Sequence, residues 1–596
     1  MSKRLISLIL VLILLITALA SCKKTPVGDD SESSNTSGMS PESETDAPDP
    51  FYEIPLSELE NYSIVYSENV TDDVMDAINT LASALSMKFG ILMRTKDDTP
   101  VNYKGESQIG DYEIIIGDTR REESVEFLSE LEYGDRGYKI IGKKIVIASH
   151  DSYTTAMTVV EFSGIVRRTD KNAEIFYNSD MDNVILGSYT YGTISLDGAD
   201  ISEYRIVYPS GKAFERALAN KLRRAIAEEC GSILPVISDK EATGSREIIV
   251  GNTTRQISLS ELSGVTDGRG LITTSNGSVC LCGNSALGTA TAVEAFIGSF
   301  TGKEKTETLK LTVQKGLVSD SSPLSSMSFN ISADGMNDAR AERVLETIVR
   351  YLPDTIGLQE CSKEWKDYLM RSLGDYYEYI GVGRDAEGTG LATAVLYAKE
   401  RVTLKESATK WLTSTPDQVS KLDGADANYT YTYALFEKKG GESFMLINTQ
   451  LGATAAVRKT QAKLLLELMY KHRDKAIILT GDLNCVEGSE EFNILVSEFM
   501  RHSAAITDNA KLGSTTHAQL SDTVLVYDKY IDVSYMEVAS KRIDGAFASS
   551  SSAAYTEYII NYNGTSYTES GVTSNGQLTW QPDRDGDTLP PYIPFD

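Results

Sequence analysis

Four polar residues stand where strand-like apolar runs end in the second half of the chain. Asn330 ends the run MSFN and Glu360 ends DTIGLQE, while Asp482 and Asn484 belong to KAIILTGDLN. Their side chains carry carboxylate and amide oxygens, which are the ligands that a hard divalent cation such as Mg²⁺ prefers. If these strands are neighbours, the pattern predicts a cation site at their ends.

Further polar motifs follow in a fixed order along the same region. They are NTQLG with Asn448 and Gln450, RID ending at Asp544, and GDTLP with Asp587 and Thr588, and the runs WLTSTP and TTH lie between them. Taken together with the strand-end residues, this ordered set resembles the endonuclease/exonuclease/phosphatase superfamily. The resemblance spans nearly the whole region from residue 327 to residue 596.

The resemblance implies three groups of site residues and a divalent cofactor, Mg²⁺ or Mn²⁺. The metal ligands would be Glu360 and, beside it, Asn330. The catalytic group would be Asp482, which orients or deprotonates the attacking water, with Asn484, Asp544 and Asp587. The phosphate-binding positions would be Gln450 and Asn448.

Two positions depart from the superfamily pattern, which has histidines where this chain has Gln450 and Thr588. Glutamine can donate a hydrogen bond to phosphate but carries no charge, and threonine cannot act as a general acid or base near neutral pH. The loss of a positioned acid–base group costs roughly 10²–10⁴-fold in rate. His517, in the run TTH, offers an alternative base. The sequence therefore leaves open whether this domain is an active hydrolase or a pseudoenzyme.

Helical and strand-like runs alternate in residues 327–596 and indicate how the site is positioned. Apolar residues recur at helical spacing in 341–352 and 458–470, whereas runs such as ATAVLYA and SFMLINT favour strands. Two groups of strands with helices attached favour a four-layer α/β/β/α sandwich, which the resemblance also implies. Cys361 and Cys485 follow two of the strand-end motifs, so either buried free thiols or a disulfide between them fits this arrangement.

The segment 51–318 contains one unit twice, predicted at 51–190 and 191–318. EIIIGDT, which begins at Glu113, recurs as EIIVGNT from Glu247, and several further motifs repeat at a nearly constant offset. Each copy is predicted to be a small α/β domain, and each resembles the α/β domains beside the catalytic domains of many glycoside hydrolases. That resemblance implies a glycan-related accessory unit, and the alternative is a spacer without a ligand. The run SDSSPLSS at 319–326 is predicted to be a linker.

The first 22 residues are predicted to be an export signal, because a basic start precedes an apolar run too short to span a bilayer. LASC, which ends at Cys22, resembles the bacterial lipobox and implies lipidation of that cysteine. A plain secretory signal with an incidental cysteine is the alternative. Residues 23–50 contain too few apolar side chains to offset ordering entropy, so a disordered tether is expected. These features predict an extracytoplasmic protein that is lipid-anchored to the bacterial cell membrane.

The net charge of −28 bears on the class of partner. Proteins that bind nucleic acids normally present a basic face to the phosphates, so this charge argues against nucleic acid as a ligand. A small phosphorylated substrate or a glycan is the expected partner. Two hypotheses follow: a lipid-anchored, Mg²⁺-dependent phosphoesterase, or a non-catalytic surface protein that binds a glycan or a phosphorylated ligand.

Overall fold

The computed structural model describes residues 52–262, 265, 268–333, 336–439, 441, 443–485 and 488–496, and then the strands at 501–502, 523–527, 558–562, 565–572 and 578–582. The predicted signal and tether, and with them Cys22, lie outside the described residues. So do four of the singled-out positions in the C-terminal region, namely His517, Asp544, Asp587 and Thr588. Among the described helices, none is long and apolar enough to cross a membrane.

The first repeat is built on a six-stranded sheet in the order β3-β2-β4-β6-β5-β8, and β1 pairs separately with β7. The strands are β1 (Glu53–Pro55), β2 (Ser63–Tyr66), β3 (Arg94–Asp97), β4 (Glu113–Ile116), β5 (Arg136–Ile141), β6 (Lys144–Ser149), β7 (Ile175–Asn178) and β8 (Asn183–Ile185). The helices are α1 (Asp72–Phe89), α2 (Glu122–Glu130) and α3 (Ser152–Arg168). Every residue of the central strand β4 is buried, as expected for a strand covered by helices on both faces.

The second repeat has the same strand order, β12-β11-β13-β15-β14-β17, and β9, β10 and β16 form a separate sheet. Its strands are β9 (Tyr191–Leu196), β10 (Ala199–Asp200), β11 (Arg205–Tyr208), β12 (Val236–Ser238), β13 (Glu247–Val250), β14 (Gly270–Ser275), β15 (Ser278–Gly283), β16 (Thr306–Leu311) and β17 (Gly316–Val318). Its helices are α4 (Ala213–Cys230), α5 (Gln256–Glu261) and α6 (Ala286–Gly298). The duplicated motifs therefore occupy matching strands of matching sheets.

A buried ion pair stands at the same place in both repeats. In the first, Arg121 Nε lies 2.9 Å from Glu113 Oε2, and the two side chains are 1% and 0% exposed. In the second, Arg255 Nε lies 2.9 Å from Glu247 Oε2. Each glutamate opens the central strand, and each arginine also donates to backbone carbonyls of the preceding loop. The pair therefore ties the loop to the sheet in both copies.

The ion pair of the first repeat makes its stability dependent on pH. Burial raises the pKa of Glu113, but hydrogen bonds from Arg121, from the Gly110 N–H and from Lys96 outweigh burial and lower the pKa to about 2. Because the folded-state pKa lies below the unfolded value, the stabilisation is complete above about pH 4.5 and is lost as the pH falls towards 2. We expect the urea midpoint of the first repeat to fall between pH 5 and pH 3 less steeply in Glu113→Gln than in wild type.

The matched control for this pH dependence is Glu60→Gln, which alters an exposed glutamate of the same repeat. Its midpoint should follow the wild-type curve. Equal slopes in wild type and Glu113→Gln would contradict the assignment.

The C-terminal region forms a sandwich of a four-stranded sheet, order β18-β19-β21-β20, and a six-stranded sheet, order β22-β23-β24-β25-β27-β26. The four-stranded sheet contains β18 (Ser326–Asn330), β19 (Thr355–Cys361), β20 (Tyr377–Ile380) and β21 (Ala392–Ala398). The six-stranded sheet contains β22 (Val402–Trp411), β23 (Thr430–Lys438), β24 (Ser443–Gln450), β25 (Ala476–Asp482), β26 (Arg501–His502) and β27 (Thr523–Tyr527). A further sheet is formed by β28 (Tyr558–Tyr562), β29 (Thr565–Val572) and β30 (Leu578–Pro582).

Helices cover the outer face of each sheet of the sandwich. They are α7 (Asp338–Tyr351), α8 (Lys363–Leu373), α9 (Ala455–Lys471) and α10 (Glu490–Val496). The first two bury residues such as Leu345 and Trp365 against the four-stranded sheet, and the last two bury residues such as Leu465 and Phe492 against the six-stranded sheet. The predicted fold class, two small α/β repeats followed by a four-layer sandwich, is confirmed.

The second repeat packs directly against this sandwich, because its core and the core under α7 and α8 are continuous. The ring of Phe214 on α4 stacks on Tyr376 with 5.1 Å between the ring centroids. Lys221 Nζ, also on α4, donates to the carbonyl of Arg350 at 2.5 Å, in the last turn of α7. A cation at this end of a helix also interacts favourably with the helix dipole. The second repeat is thus a fixed support for the four-stranded sheet.

Candidate active site

Two parallel strand pairs, one in each sheet of the sandwich, bring the predicted site residues together. In the four-stranded sheet, β18 and β19 are parallel, and they end at Asn330 and near Glu360. In the six-stranded sheet, β24 and β25 are parallel, and Gln450 lies directly opposite Asp482 in the register. Because the two sheets stack with these ends at the same edge, four side chains from distant parts of the sequence converge there.

Two amide groups bridge two carboxylates at the centre of this cluster. Asn330 Nδ2 donates to Glu360 Oε1 at 3.1 Å and to Asp482 Oδ2 at 2.9 Å. Gln450 Nε2 donates to the same two oxygens, at 3.0 Å and 3.2 Å. The two carboxylates are therefore close neighbours held by shared neutral donors. Like charges this close disfavour each other, so the arrangement favours a positive group between them.

The same type of side-chain-to-backbone turn fixes a polar residue at the strand ends of each sheet. Asn330 Oδ1 accepts the N–H of Ser332 at 2.9 Å, and Asp482 Oδ1 accepts the N–H of Asn484 at 3.1 Å. Both acceptors lie two residues before a residue with positive φ, 47° at Ser332 and 50° at Asn484. These are Asx-type turns, in which a short polar side chain bonds its own backbone two residues on. They fix the rotamers of Asn330 and Asp482.

Glu360 sits at an irregular point of its strand. Its φ is 56°, in the left-handed region that non-glycine residues rarely adopt. The pairing of β19 with β21 shifts register between Leu358 and Cys361, which spans Glu360. Bulges of this kind change the direction of a side chain where the pairing of two strands ends. The Ala333 N–H donates to Glu360 Oε2 at 3.3 Å and helps to hold the carboxylate in the cluster.

Asn448 lies deeper between the sheets than the other predicted site residues. Its side chain is fully buried. Nδ2 donates to the carbonyls of Leu358 and Ala394 at 2.7 and 2.8 Å, and Oδ1 accepts from Gln359 and Thr480 at 2.7 and 3.1 Å. These four bonds use the hydrogen-bonding capacity of the amide. In this structure the Asn448 side chain connects the two sheets beneath the carboxylate cluster and does not reach the cluster itself.

Asn484 lies beside the cluster, with Nδ2 donating to the Leu451 carbonyl at 2.8 Å. Both cysteines next to the motifs are free and buried, so the disulfide alternative is not realised here. Burial raises the pKa of the Cys361 thiol to about 12 and that of Cys485 to about 11. Neither thiol is a nucleophile at neutral pH.

The cluster fits a divalent cation through its carboxylates. In the described part of the chain no group of three or more His, Cys, Asp or Glu side chains is placed to hold a metal. Glu360 Oε1 and Asp482 Oδ2, however, are neighbouring anionic oxygens, the donors that Mg²⁺ uses while it keeps several waters. Asn330 presents Nδ2 to these oxygens, because its Oδ1 accepts the Ser332 N–H. Its observed role is to orient the carboxylates.

Comparison with known proteins bears on the same region. Residues 327–559 match the family model described as Endonuclease/Exonuclease/phosphatase family. No curated protein matches the chain.

Several solved structures are similar to part of the chain. A mannosyl-6-phosphatase of Bacteroides thetaiotaomicron is 26% identical over 35% of this chain and 86% of that one, with a TM-score of 0.32. An endonuclease/exonuclease/phosphatase from Bacteroides vulgatus is 25% identical over 34% and 87%, with a TM-score of 0.32. The catalytic domain of human Nocturnin is 16% identical over 44% and 95%, with a TM-score of 0.29. From the family match and the motifs that converge at the strand ends, residues 327–559 of this chain belong to the endonuclease/exonuclease/phosphatase family.

Proposed function

We propose that this protein is a lipid-anchored, extracytoplasmic phosphoester hydrolase that uses Mg²⁺ or Mn²⁺ at the ends of β19 and β25. The observation that carries the proposal is the pair of carboxylates, Glu360 and Asp482, held side by side in a domain of the endonuclease/exonuclease/phosphatase family. The proposed substrate is a small phosphorylated molecule, since a net charge of −28 disfavours nucleic acid.

Each residue of the cluster has a distinct task in this proposal. Glu360 and Asp482 would hold the cation, which would polarise a phosphate oxygen and stabilise the charge that develops in the transition state. Asp482 would also orient the attacking water and accept its proton. Asn330 keeps both carboxylates aligned through its N–H groups. Gln450, whose Nε2 donates to the same two oxygens, would bind the phosphate.

A second candidate function is ligand binding without turnover, and one contact favours it. Gln450 Nε2 donates to both carboxylates and so supplies, without charge, part of the compensation that a cation would give. Glutamine cannot exchange protons near neutral pH, so the Gln450 position cannot supply acid–base chemistry.

Turnover of two generic substrates, a phosphodiester and a phosphomonoester, tests the proposed hydrolase. We expect the full chain, purified in detergent, to hydrolyse at least one of them with Mg²⁺ or Mn²⁺, and a chelator to abolish the activity. Glu360→Ala should weaken the apparent cation affinity at least tenfold, because it removes one of two anionic ligands.

Glu364→Ala is the matched control, since Glu364 is an exposed glutamate four residues away on α8. Its turnover should equal that of wild type. If wild type and Glu360→Ala are equally inert while Mg²⁺ still binds wild type, the binding-only function is the correct one.

A further inference from the structure

A guanidinium lies beside the carboxylate cluster, and its N–H groups meet no acceptor in the described part of the chain. Arg384 follows β20 in the loop before β21, and its Nε is buried without a hydrogen-bond partner. Within the described part of the chain its side chain forms no ion pair. The adjacent Asp385 accepts from Asn428 at 2.9 Å, and Asp426 accepts from the Tyr429 hydroxyl at 3.0 Å. A buried donor without a partner is costly, which points to a ligand that completes it.

The loop backbone holds Arg384 firmly in place. Its N–H donates to the Leu391 carbonyl at 3.0 Å, across the loop. Its own carbonyl accepts from Trp411 Nε1 at 2.8 Å, at the end of β22. Its guanidinium carbon lies 5.9 Å from the centroid of the Tyr429 ring, over the face of that ring. Stacking of this kind leaves the in-plane N–H groups of an arginine free to donate.

Tyr429 connects Arg384 to the carboxylate cluster. It precedes β23, whose Tyr431 pairs with Thr449 on the neighbouring strand β24, so the Tyr429 ring lies at the end where Gln450 stands. A Cβ placed on Gly452, two residues after Gln450, would lie 3.3 Å from that ring. The charges of Arg384 and Asp482 both act on the Tyr429 hydroxyl, whose pKa burial raises to about 12. The guanidinium and the cluster therefore share one side of the sandwich edge.

Two other arginines of this region are already occupied, which makes Arg384 distinct. Arg458 pairs with Glu491, at 2.8 Å from Nη2 to Oε1. Arg340 donates through Nη2 to the Ile331 carbonyl at 2.5 Å and lies over Trp365. Only Arg384 among these three has a guanidinium not bound to protein acceptors.

We propose that Arg384 binds the anionic oxygens of the phosphoryl group, and so supplies the positive charge that the neutral Gln450 cannot. This inference rests on the proposed function for its ligand class, a phosphate monoester or diester. Guanidinium groups match phosphate geometry with paired N–H donors, and charge-assisted bonds of this kind are among the stronger ones in proteins. Because the planar guanidinium is already held by stacking on Tyr429, it loses little conformational entropy when it binds a ligand.

Inorganic phosphate is the probe that tests the proposal. Titration calorimetry of the full chain in the presence of Mg²⁺ should show phosphate binding, and Arg384→Gln should weaken it at least tenfold. Arg384→Lys keeps the positive charge but loses the paired N–H donors of the guanidinium. Its phosphate affinity should therefore lie between those of wild type and Arg384→Gln. Circular dichroism and the thermal midpoint of each variant show whether it is folded. Arg384→Lys serves as the folded variant if Arg384→Gln is not.

Arg473→Gln is the matched control, because Arg473 also lies over a tyrosine ring, that of Tyr470, just beyond the far end of α9. Phosphate binding should be unchanged in it. Wild-type affinity in Arg384→Gln, or no measurable phosphate binding by wild type, would overturn the proposal. Phosphate binding that depends on Arg384 in a chain without turnover would refute the hydrolase alone. Turnover with an unchanged KM in Arg384→Gln would refute the role of Arg384 alone.

Discussion

Replacing Arg121 by alanine is expected to lower the free energy of unfolding of the first repeat by about 3–5 kcal/mol, the usual cost of removing one partner from a buried ion pair. Glu113 would keep only Lys96 and Lys144, at 2.9 and 3.4 Å from its oxygens, as cationic partners. The Asp98 carbonyl, which accepts from Arg121 Nη1 at 2.9 Å, would lose that donor. A charge left buried with partial compensation costs more than a cavity of the same size.

The preceding residue supplies the control for this prediction. Arg120 is also paired, with Glu68, but the two side chains are 47% and 45% exposed. Exposed pairs contribute about 0–1 kcal/mol, so Arg120→Ala should have a small effect. Urea titration read by hydrogen exchange at the amides of β4 assigns the loss to the first repeat. Equal effects of the two alanine variants would show that burial of the pair is not what stabilises the repeat.

The duplication could be read from the sequence, but this ion pair could not. Glu113 and Glu247 belong to repeated strand motifs, and hydrophobic periodicity predicts their strands. Arg121 and Arg255 follow in loops, where an arginine is ordinarily exposed. Only the packing of the preceding loop over the start of the strand buries them. Pairing of this kind depends on long-range geometry that local pattern does not contain.

Strand ends are the part of the site that sequence predicts best. Asn330, Glu360 and Asp482 each end an apolar run, and parallel pairing places such ends together. The fine position of a side chain is harder to foresee. Asn448 and Gln450 share one face of β24 by the two-residue period of a strand, yet only Gln450 reaches the cluster. Asn448 lies two residues further inside the sandwich than Gln450. Which of the two positions is covered depends on how far the facing sheet extends.

Helix starts show a similar limit. Apolar spacing predicts a helix from residue 341, whereas α7 begins at Asp338. The earlier start follows from Asn337, whose side chain accepts the N–H of Arg340 at 2.9 Å and caps the helix. The left-handed conformation of Glu360 has no such local signal, because a glutamate at that position carries no preference for positive φ. The feature that aims the main predicted metal ligand is thus a product of sheet pairing.

Asp482→Asn is expected to reduce phosphoester turnover by about 10²–10⁴-fold, since it removes the group that we propose accepts a proton from water. The substitution also disturbs the cluster in a defined way. Asp482 Oδ2 accepts from Asn330 and Gln450, and Oδ1 accepts from the Asn484 N–H. The amide of the introduced asparagine can take two orientations. In either one its NH₂ group faces an N–H donor and cannot form a hydrogen bond with it. We therefore expect an additional loss of about 1–3 kcal/mol in stability.

The loss of rate and the loss of stability can be separated by experiment. Rates should be measured well below the thermal midpoint of the variant, with kcat and KM determined independently. The proton-accepting role predicts that most of the effect falls on kcat, whereas a loss confined to KM would assign Asp482 to substrate binding alone. Asp474→Asn is the matched control, because Asp474 is 69% exposed and pairs with the neighbouring Lys475 at 2.8 Å. Full turnover in Asp482→Asn would place the chemistry outside the carboxylate cluster, since the cluster would then contain no ionised group at the end of β25.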